Sequence, residues 1–304
     1  MAPGDADDRL RSAAFAYVTR LSTEGGVVSY RDLEAFEFEG TRVSLIQRMR
    51  GIRKVSGFEA ALSILTTYAA RPEDRPYDDG TGPDGYQRYK WRGTDPTAYD
   101  NIALRRAMEL NKPLLWFLGM SPGVYMPVYP VWLVGEEPEE HQFVLAVEEG
   151  MREQWSDRIF HPADLALRRQ YVEATVKRRV HQPAFRARVL RAYAGACALC
   201  HLRHTELLDA AHIREDSDGG EPVVPNGVAM CAIHHRAFDA DVLGIRPDYV
   251  VQVRHDVLEE QDGPTLRHAL QAIHGETLLL PRQRAARPDP ELLEERFARF
   301  QKAG

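Results

Sequence analysis

The sequence of 304 residues predicts an α+β protein with two domains joined by a helical segment. This length is enough for two domains of ordinary size, and 44% hydrophobic residues are enough to give each its own core. Helical and strand-like patterns are mixed along the first half, whereas all three cysteines lie in one short window of the second half. We therefore expect two domains of different construction.

The sequence gives no indication of a membrane span. Its first residues, MAPGDADDRL, are acidic rather than basic. No stretch approaches the roughly 18 to 20 consecutive apolar residues that a spanning helix needs. We expect a cytoplasmic protein with no cleaved signal and no membrane partner.

The first domain, over residues 1–154, is predicted to combine helices with a sheet. Leu10, Ala14 and Val18 recur at helical spacing in an opening helix that ends at Gly25-Gly26. Further along, IALRRAMELNK has a helical pattern, whereas PLLWFLGM and VYMPVYPVWLV are typical of strands.

A helical connector is predicted over residues 155–184, with Pro162 near the start of one helix and Pro183 opening the next. The formal net charge of the chain is -6, but the segment 167–191 carries eight basic residues against one acid. This segment is either a solvated helix surface or a face that contacts the phosphate backbone of a nucleic acid. The residues expected to make backbone contacts are Lys177, Arg178, Arg179, Arg186 and Arg188.

The cysteines occur in two short pairs that indicate a structural zinc site. Cys197 and Cys200 form a C-x-x-C pair, and Cys231 and His234 form a C-x-x-H pair. An odd number of cysteines in a cytosolic chain argues against a disulfide framework. Each pair can place two ligands on one turn, and together they can complete a tetrahedral Cys₃His site for Zn²⁺.

The residues between and after these pairs resemble the HNH endonuclease family. A strand ending in DAAHI, a glycine-bearing turn, PNGVAMC and then HHRAFD are similar to the zinc-knuckle branch found in McrA-like, modification-dependent restriction enzymes. The resemblance implies a ββα-metal nuclease domain within residues 185–304. It also implies a DNA endonuclease that hydrolyses phosphodiester bonds with one catalytic divalent ion, Mg²⁺ or Mn²⁺.

By this resemblance three residues are catalytic. His212 is the general base that activates water, and its ordinary pKa of about 6.5 suits proton transfer near neutral pH. Asn226 either fixes the loop or orients that histidine through its amide. His235 is a ligand of the catalytic ion and is expected to point away from the zinc, because adjacent helix positions point about 100° apart.

The second protein ligand of the catalytic ion is left open between two acids. Many HNH enzymes carry an acidic ligand immediately before the base, but Ala211 occupies that position here. Asp209 projects from the same side of a strand as Ala211 and is a candidate substitute. Asp239 is the alternative, and it can equally serve as a helix-terminal cap.

The segment from Tyr77 to Asn101, which is rich in turn residues, together with PGVYMPVYPVWLV, resembles the SRA/PUA-like domains that are fused to HNH nucleases. Such folds extrude a modified base into a pocket, where aromatic rings stack on it. An alternative for half of these aromatic residues is a place in the core. The residues expected to form the pocket are Tyr77, Asp78, Tyr86, Trp91, Arg92 and Tyr125.

The combined prediction is a modification-dependent, type IV-like restriction endonuclease that acts on double-stranded DNA carrying a modified cytosine. One alternative is a non-catalytic DNA-binding protein in which zinc only stabilises the fold. The other is a less selective HNH nickase or nuclease of phage or toxin origin. Because one HNH site cuts one strand, cleavage of both strands would suit a homodimer.

Overall fold

The computed structural model describes residues 3–22, 26–68, 80–156, 162–261 and 263–303. The chain divides into two compact units, Met1–Pro183 and Ala184–Gly304. The helices predicted as a connector over 155–184 fall almost wholly within the first unit. Among the described residues, no helix is long and apolar enough to cross a membrane.

The first unit is a mixed sheet with helices packed on it, as the α+β prediction requires. Its helices are α1 (Pro3–Ser22), α2 (Tyr30–Glu34), α3 (Tyr99–Glu109), α4 (Glu149–Ser156) and α5 (Pro162–Val176). Its strands are β1 (Val28–Ser29), β2 (Glu37–Phe38), β3 (Thr41–Arg42), β4 (Ile52–Lys54), β5 (Ala61–Thr66), β6 (Gln87–Lys90), β7 (Leu114–Ser121), β8 (Val124–Glu137) and β9 (Gln142–Ala146).

Seven of the strands described in this unit form one sheet in the order β4-β5-β7-β8-β9-β6, with β1 added beside the start of β8. Neighbours are antiparallel except for β5 and β7, which are parallel. The 14 residues of β8 pair with β7 through their first half and with β9 through their second half. The longest strand therefore joins the two ends of the sheet.

The opening helix α1 covers this sheet with one apolar face. Leu10, Ala14 and Val18 recur every four residues and are at most 1% exposed. They belong to the same buried cluster as Leu115 and Phe117, which alternate along β7. The helix and the strand predicted for these two segments are confirmed.

The turn-rich segment 71–101 contains a strand that the sequence analysis did not predict. β6 pairs antiparallel with β9, from Gln87 opposite Leu145 to Lys90 opposite Gln142. This pairing carries Tyr86, Tyr89 and Trp91 into the interior, where each is at most 6% exposed. Two residues of the predicted base pocket, Tyr86 and Trp91, therefore lie in the core, which was the alternative given for half of these aromatic residues, because strand pairing outweighs the local turn signals.

The second unit builds one core around a short hairpin. Phe185, Tyr193, Met230 and Phe238 are among its buried residues. A π-helical turn at Lys177–His181 joins α5 to the next helix, which begins at Gln182. The elements are α6 (Gln182–Ala192), β10 (Leu208–His212), β11 (Gly227–Cys231), α7 (Ala232–Asp239), β12 (Leu243–Ile245), β13 (Val251–Val253), α8 (His255–Glu259) and α9 (Pro290–Ala303).

Candidate active site

The candidate site is built on the hairpin β10–β11 and the helix α7 that follows it directly. The hairpin is antiparallel, with Leu208 opposite Cys231 and His212 opposite Gly227. Cys231 ends β11 and is at the same time the N-cap of α7. The predicted ββα order is present, and no loop separates the second strand from the helix.

The four predicted zinc ligands converge, which confirms the Cys₃His cluster. All four ligand atoms of Cys197, Cys200, Cys231 and His234 lie within 4.8 Å of one another. The Nδ1 atom of His234 is 3.4 Å from the Sγ of Cys197 and 3.2 Å from the Sγ of Cys231. The Sγ atoms of Cys200 and Cys231 are 3.9 Å apart.

These separations fit the edges of a tetrahedral metal site. With Zn–S bonds of about 2.3 Å and Zn–N bonds of about 2.0 Å, tetrahedral geometry gives S···S edges of about 3.8 Å and S···N edges of about 3.5 Å. The remaining ring nitrogen of His234, Nε2, lies 2.6 Å from the carbonyl oxygen of Ala269. A ligating histidine commonly donates its other N–H in this way, which fixes the tautomer. The donor set could therefore hold a zinc ion.

His235, the residue after the cluster ligand His234, lies between two carboxylates. Its Nδ1 is 3.3 Å from Oδ2 of Asp209 on β10, and its Nε2 is 3.5 Å from Oδ2 of Asp239 on α7. The hydrogen bond with Asp209 raises the pKa of His235 despite its burial. Burial opposes ionisation of Asp209, but the bonds from His235 and the Ala210 amide outweigh it and lower the pKa of this carboxyl.

Asp209 and Asp239 do not converge on one point, because they face different nitrogens of the same ring. In the part of the chain that the structure describes, the Cys₃His cluster is the one group of three or more His, Cys, Asp or Glu side chains whose ligand atoms all lie within 4.8 Å of one another. Two separate pairs could therefore bind a divalent ion, His235 with Asp209 or His235 with Asp239. The first pair joins the strand to the helix, and the second lies within one helix.

His212 ends β10, and its ring is held by an aromatic neighbour. The ring stacks on Phe185 of α6, with centroids 4.0 Å apart and planes inclined by 22°. Opposite His212 the hairpin has Gly227, where an added Cβ would come within 2.6 Å of Val189 and 2.8 Å of Phe185. The absence of a side chain at Gly227 lets α6 pack this closely on the hairpin.

Asn226 is 1% exposed and fixes the loop between the two strands. Its Oδ1 accepts from the backbone N–H of Arg214, and its Nδ2 donates to the carbonyls of Arg214 and Glu221. All of these bonds are with backbone groups. Of the two roles expected for this amide, the geometry favours loop fixation. The loop also requires Gly220, where a Cβ would lie 2.0 Å from the Arg214 carbonyl oxygen.

A charged network from the C-terminal helix supports the site, and the sequence analysis did not predict it. Arg296 is 6% exposed, donates to the carbonyl of Phe238 at 2.6 Å and lies over the Phe238 ring. Arg299 donates to Glu215 at 2.8 Å and to Asp241 at 3.1 Å. The helix α9 thus ties the end of α7 to the loop that follows β10. The pattern DPELLEERFARF is typical of a helix but indicates none of these partners.

The residues expected to contact the DNA backbone fall into two groups. Lys177 and Arg178 are exposed, and Arg178 pairs with Glu148 at 2.6 Å. The other three are half-buried and donate to main-chain carbonyls: Arg179 to Tyr129, Arg186 to Thr205 and Leu208, and Arg188 to Pro222. Much of this basic segment therefore has a structural role in the fold.

Of the residues expected to form a base pocket, the structure describes four, and three of these are buried. Tyr77 and Asp78 lie outside the described residues. Tyr86, Trp91 and Tyr125 are at most 6% exposed, and burial raises the pKa of Tyr86 to about 12. Arg92 is half exposed and pairs with Asp100 at 2.8 Å.

Comparison with known proteins identifies the second unit. Residues 197–246 match the model of the family HNH_2, described as HNH endonuclease. No curated protein sequence matches the chain. The match makes this segment an HNH endonuclease domain and the protein a nuclease.

Solved structures similar to the chain include two restriction enzymes. One is a "Modification dependent TagI restriction endonuclease", with 17% identity, a TM-score of 0.29 and coverage of 92% of this chain and 94% of that chain. The other is the "Type IV phosphorothioation-dependent restriction endonuclease ScoMcrA", with 18% identity and a TM-score of 0.24. That likeness covers 62% of this chain and 50% of that chain, so the protein spans half the length of this relative.

Removal of one cluster ligand is expected to release the zinc and unfold the second unit. Zinc binding is worth about 10–16 kcal/mol in small folds held together by a metal, which is comparable with the usual total stability of about 5–15 kcal/mol. Purified protein should carry one zinc per chain by elemental analysis, and the His234→Ala variant none. Hydrogen exchange of β10 and β11 should then rise to the rate of an unfolded chain.

The matched control is His255→Ala, because the His255 side chain is 83% exposed. The four tryptophans all precede residue 184, so their fluorescence reports separately that the first unit stays folded. Zinc retained in the His234→Ala variant, or absent from the folded native protein, would contradict the assignment.

Proposed function

We propose that this HNH nuclease hydrolyses phosphodiester bonds of double-stranded DNA at the β10–β11–α7 site with one catalytic divalent ion. The observation that carries the proposal is the contact between Asp209 and His235, which pairs a strand carboxylate with a helix imidazole inside the matched segment. This carboxylate and imidazole lie at the separation expected for two ligands of one small cation.

Asp209 and His235 are proposed to hold Mg²⁺ or Mn²⁺, with Asp239 as the alternative acid. When bound, such an ion neutralises charge that develops on the phosphorane-like transition state and on the leaving oxygen. The pair with Asp209 is favoured for two reasons. Asp209 lies on the same face of the strand as Ala211, the position at which many HNH enzymes carry an acidic ligand. Its contact with His235, at 3.3 Å, is also shorter than the 3.5 Å contact of Asp239.

His212 is proposed as the general base. A water oxygen attacks phosphorus while a ring nitrogen of His212 takes the proton that this water loses, one bridging P–O bond breaks, and the leaving oxygen takes up a proton from solvent. Stacking on Phe185 restricts the plane in which the imidazole can lie. Asn226 holds the loop that follows the base.

The zinc is proposed to be structural. Three thiolates and one imidazole would close the coordination shell of a zinc ion, which would leave no position for a reacting water. A scaffold that only binds DNA would need the four cluster ligands alone, and nothing in that role would require an Asp209–His235 pair. The proposal of an active nuclease therefore explains more of the site than the alternative of a non-catalytic module.

The His212→Ala variant is expected to lose cleavage and keep DNA affinity. Loss of a general base typically lowers the rate about 10²- to 10⁴-fold. Nicking of supercoiled plasmid with Mg²⁺ or Mn²⁺ gives the rate, and fluorescence anisotropy gives the affinity. His204→Ala is the matched control, since His204 has a 68% exposed side chain. Cleavage by His212→Ala at the native rate would assign the base elsewhere.

A finer proposal concerns the N-terminal unit. We propose that it is an SRA/PUA-like reader of modified cytosine that works by base extrusion, which makes the protein a modification-dependent, type IV-like restriction enzyme. The sequence resemblance of the segment around PDGYQRYKWRG supports this. Since Tyr86 and Trp91 are buried, stacking would use exposed rings such as Tyr99, which is 55% exposed.

The modification proposal predicts unequal cleavage of matched substrates. Duplexes with cytosine, 5-methylcytosine, 5-hydroxymethylcytosine or a phosphorothioate linkage should be compared at fixed, near-physiological salt, because salt alone shifts affinity for DNA. We expect a modified-cytosine duplex to be cut at least tenfold faster than the unmodified one, since the N-terminal unit would recruit it. Equal cleavage rates on all four duplexes would contradict modification dependence and would indicate a less selective HNH nickase or nuclease. Cutting of both strands would point to the homodimer.

A further inference from the structure

The turn at residues 47–51 of the first unit carries an unusually exposed methionine. Met49 is 90% exposed, and its neighbours Arg48 and Arg50 are exposed too. Single exposed apolar residues are common on protein surfaces and need no explanation by themselves. What distinguishes Met49 is the rigidity of the turn beneath it and the charge around it.

The turn is fixed to the sheet by its own backbone. The Gly51 N–H donates to the carbonyl of Gln47 at 2.9 Å, and the Leu65 N–H donates to the carbonyl of Gly51 at 2.7 Å. The Tyr89 hydroxyl donates to the same Gly51 carbonyl at 3.0 Å. Gly51 has φ of 74°, the left-handed conformation that favours glycine. Met49 is thus presented from a defined position.

Two guanidinium groups beside the turn share one buried acid. Arg92 donates to Oδ2 of Asp100 at 2.8 Å, and Arg50 lies 3.8 Å from Oδ1 of the same carboxylate. The Asp100 side chain is 2% exposed, whereas Arg50 and Arg92 are 48% and 45% exposed. One carboxylate cannot neutralise two guanidiniums, so positive charge and free donor capacity remain at the surface.

A third cation, Lys54, lies over an exposed ring next to this pair. The Nζ of Lys54 is 4.4 Å from the centroid of Tyr99, which is 55% exposed. The guanidinium of Arg48, within the turn, lies over the Tyr30 ring at 4.9 Å from its centroid. We call the set the Met49 surface, and it consists of Arg48, Met49, Arg50, Lys54, Arg92 and Tyr99.

We propose that the Met49 surface binds duplex DNA, with Met49 inserted into the base stack and the flanking cations on phosphates. This inference rests on the proposed function, which makes DNA the substrate. Apolar wedges, methionine included, partly unstack and kink a duplex when inserted between base steps. Arginine and lysine around the wedge fix its register through phosphate contacts. An opened step lowers the cost of extruding the neighbouring base for reading.

The test uses the full-length, zinc-loaded protein with duplexes that carry 2-aminopurine beside the modified or unmodified cytosine. Without Mg²⁺ or Mn²⁺ the duplex stays intact, and 2-aminopurine fluorescence rises when its stack opens. Met49→Ser should abolish this rise in fluorescence. It should also weaken DNA binding about ten- to hundredfold, because the variant loses the free energy gained by burying one methionine side chain. Met49→Leu should retain both properties, and Leu110→Ser, at a 43% exposed apolar position, should match the native protein.

The cations are tested by Arg50→Gln. This variant should weaken binding to every duplex by the same factor. The slope of log affinity against log salt concentration should become shallower by about 1, the amount expected for the loss of one phosphate contact. Native affinity and native fluorescence in Met49→Ser, with plasmid still cleaved, would overturn the Met49 surface and leave the nuclease intact. Absence of both cleavage and DNA binding in the native protein would overturn the proposed function and this inference with it.

Discussion

The C-terminal unit depends on the meeting of Cys197, Cys200, Cys231 and His234 at one point. The first two ligands precede β10, the third ends β11, and the fourth lies in the first turn of α7. A cation held by all four closes three segments on one another and fixes the rotation of α7. Because adjacent helix positions point about 100° apart, a helix that directs His234 to the cluster directs His235 to Asp209. The structural cluster and the candidate catalytic pair are thereby coupled through two neighbouring residues.

Packing on the other sides of the hairpin completes this constraint. Phe185 of α6 holds the ring of His212 and needs the bare backbone of Gly227 to do so. Arg296 of α9 fixes the last turn of α7 through the carbonyl of Phe238. The strand residues, the loop and the helix are each held by a different neighbour. Such support is what keeps catalytic groups within a few tenths of an ångström of a working geometry.

The sequence predicted the parts of this arrangement that are encoded locally. Ligand spacing predicted the Cys₃His cluster, and helical periodicity predicted α1. Partners that are distant in the chain were not predictable, because a buried arginine such as Arg296 looks like any helix-surface charge until its carbonyl acceptor is known. The same limit applied to β6, whose pairing with β9 buries Tyr86 and Trp91 despite the surrounding Gly, Pro and Asp. A reader of DNA in the first unit therefore has to use its exposed side chains, of which Met49 and Tyr99 are two apolar examples.

The central claim is that a ββα unit stabilised by zinc in its Cys₃His cluster binds a second, separate divalent ion between β10 and α7. Anomalous diffraction from crystals soaked in Mn²⁺, recorded at the zinc and manganese edges, tests it directly. The account predicts a zinc peak inside the Cys₃His cluster and a distinct manganese peak between Asp209 and the Nδ1 atom of His235. A manganese peak at the Nε2 side beside Asp239 would transfer the ligand role to that acid. Manganese bound only in the cysteine cluster, or no manganese near His235, would contradict the account.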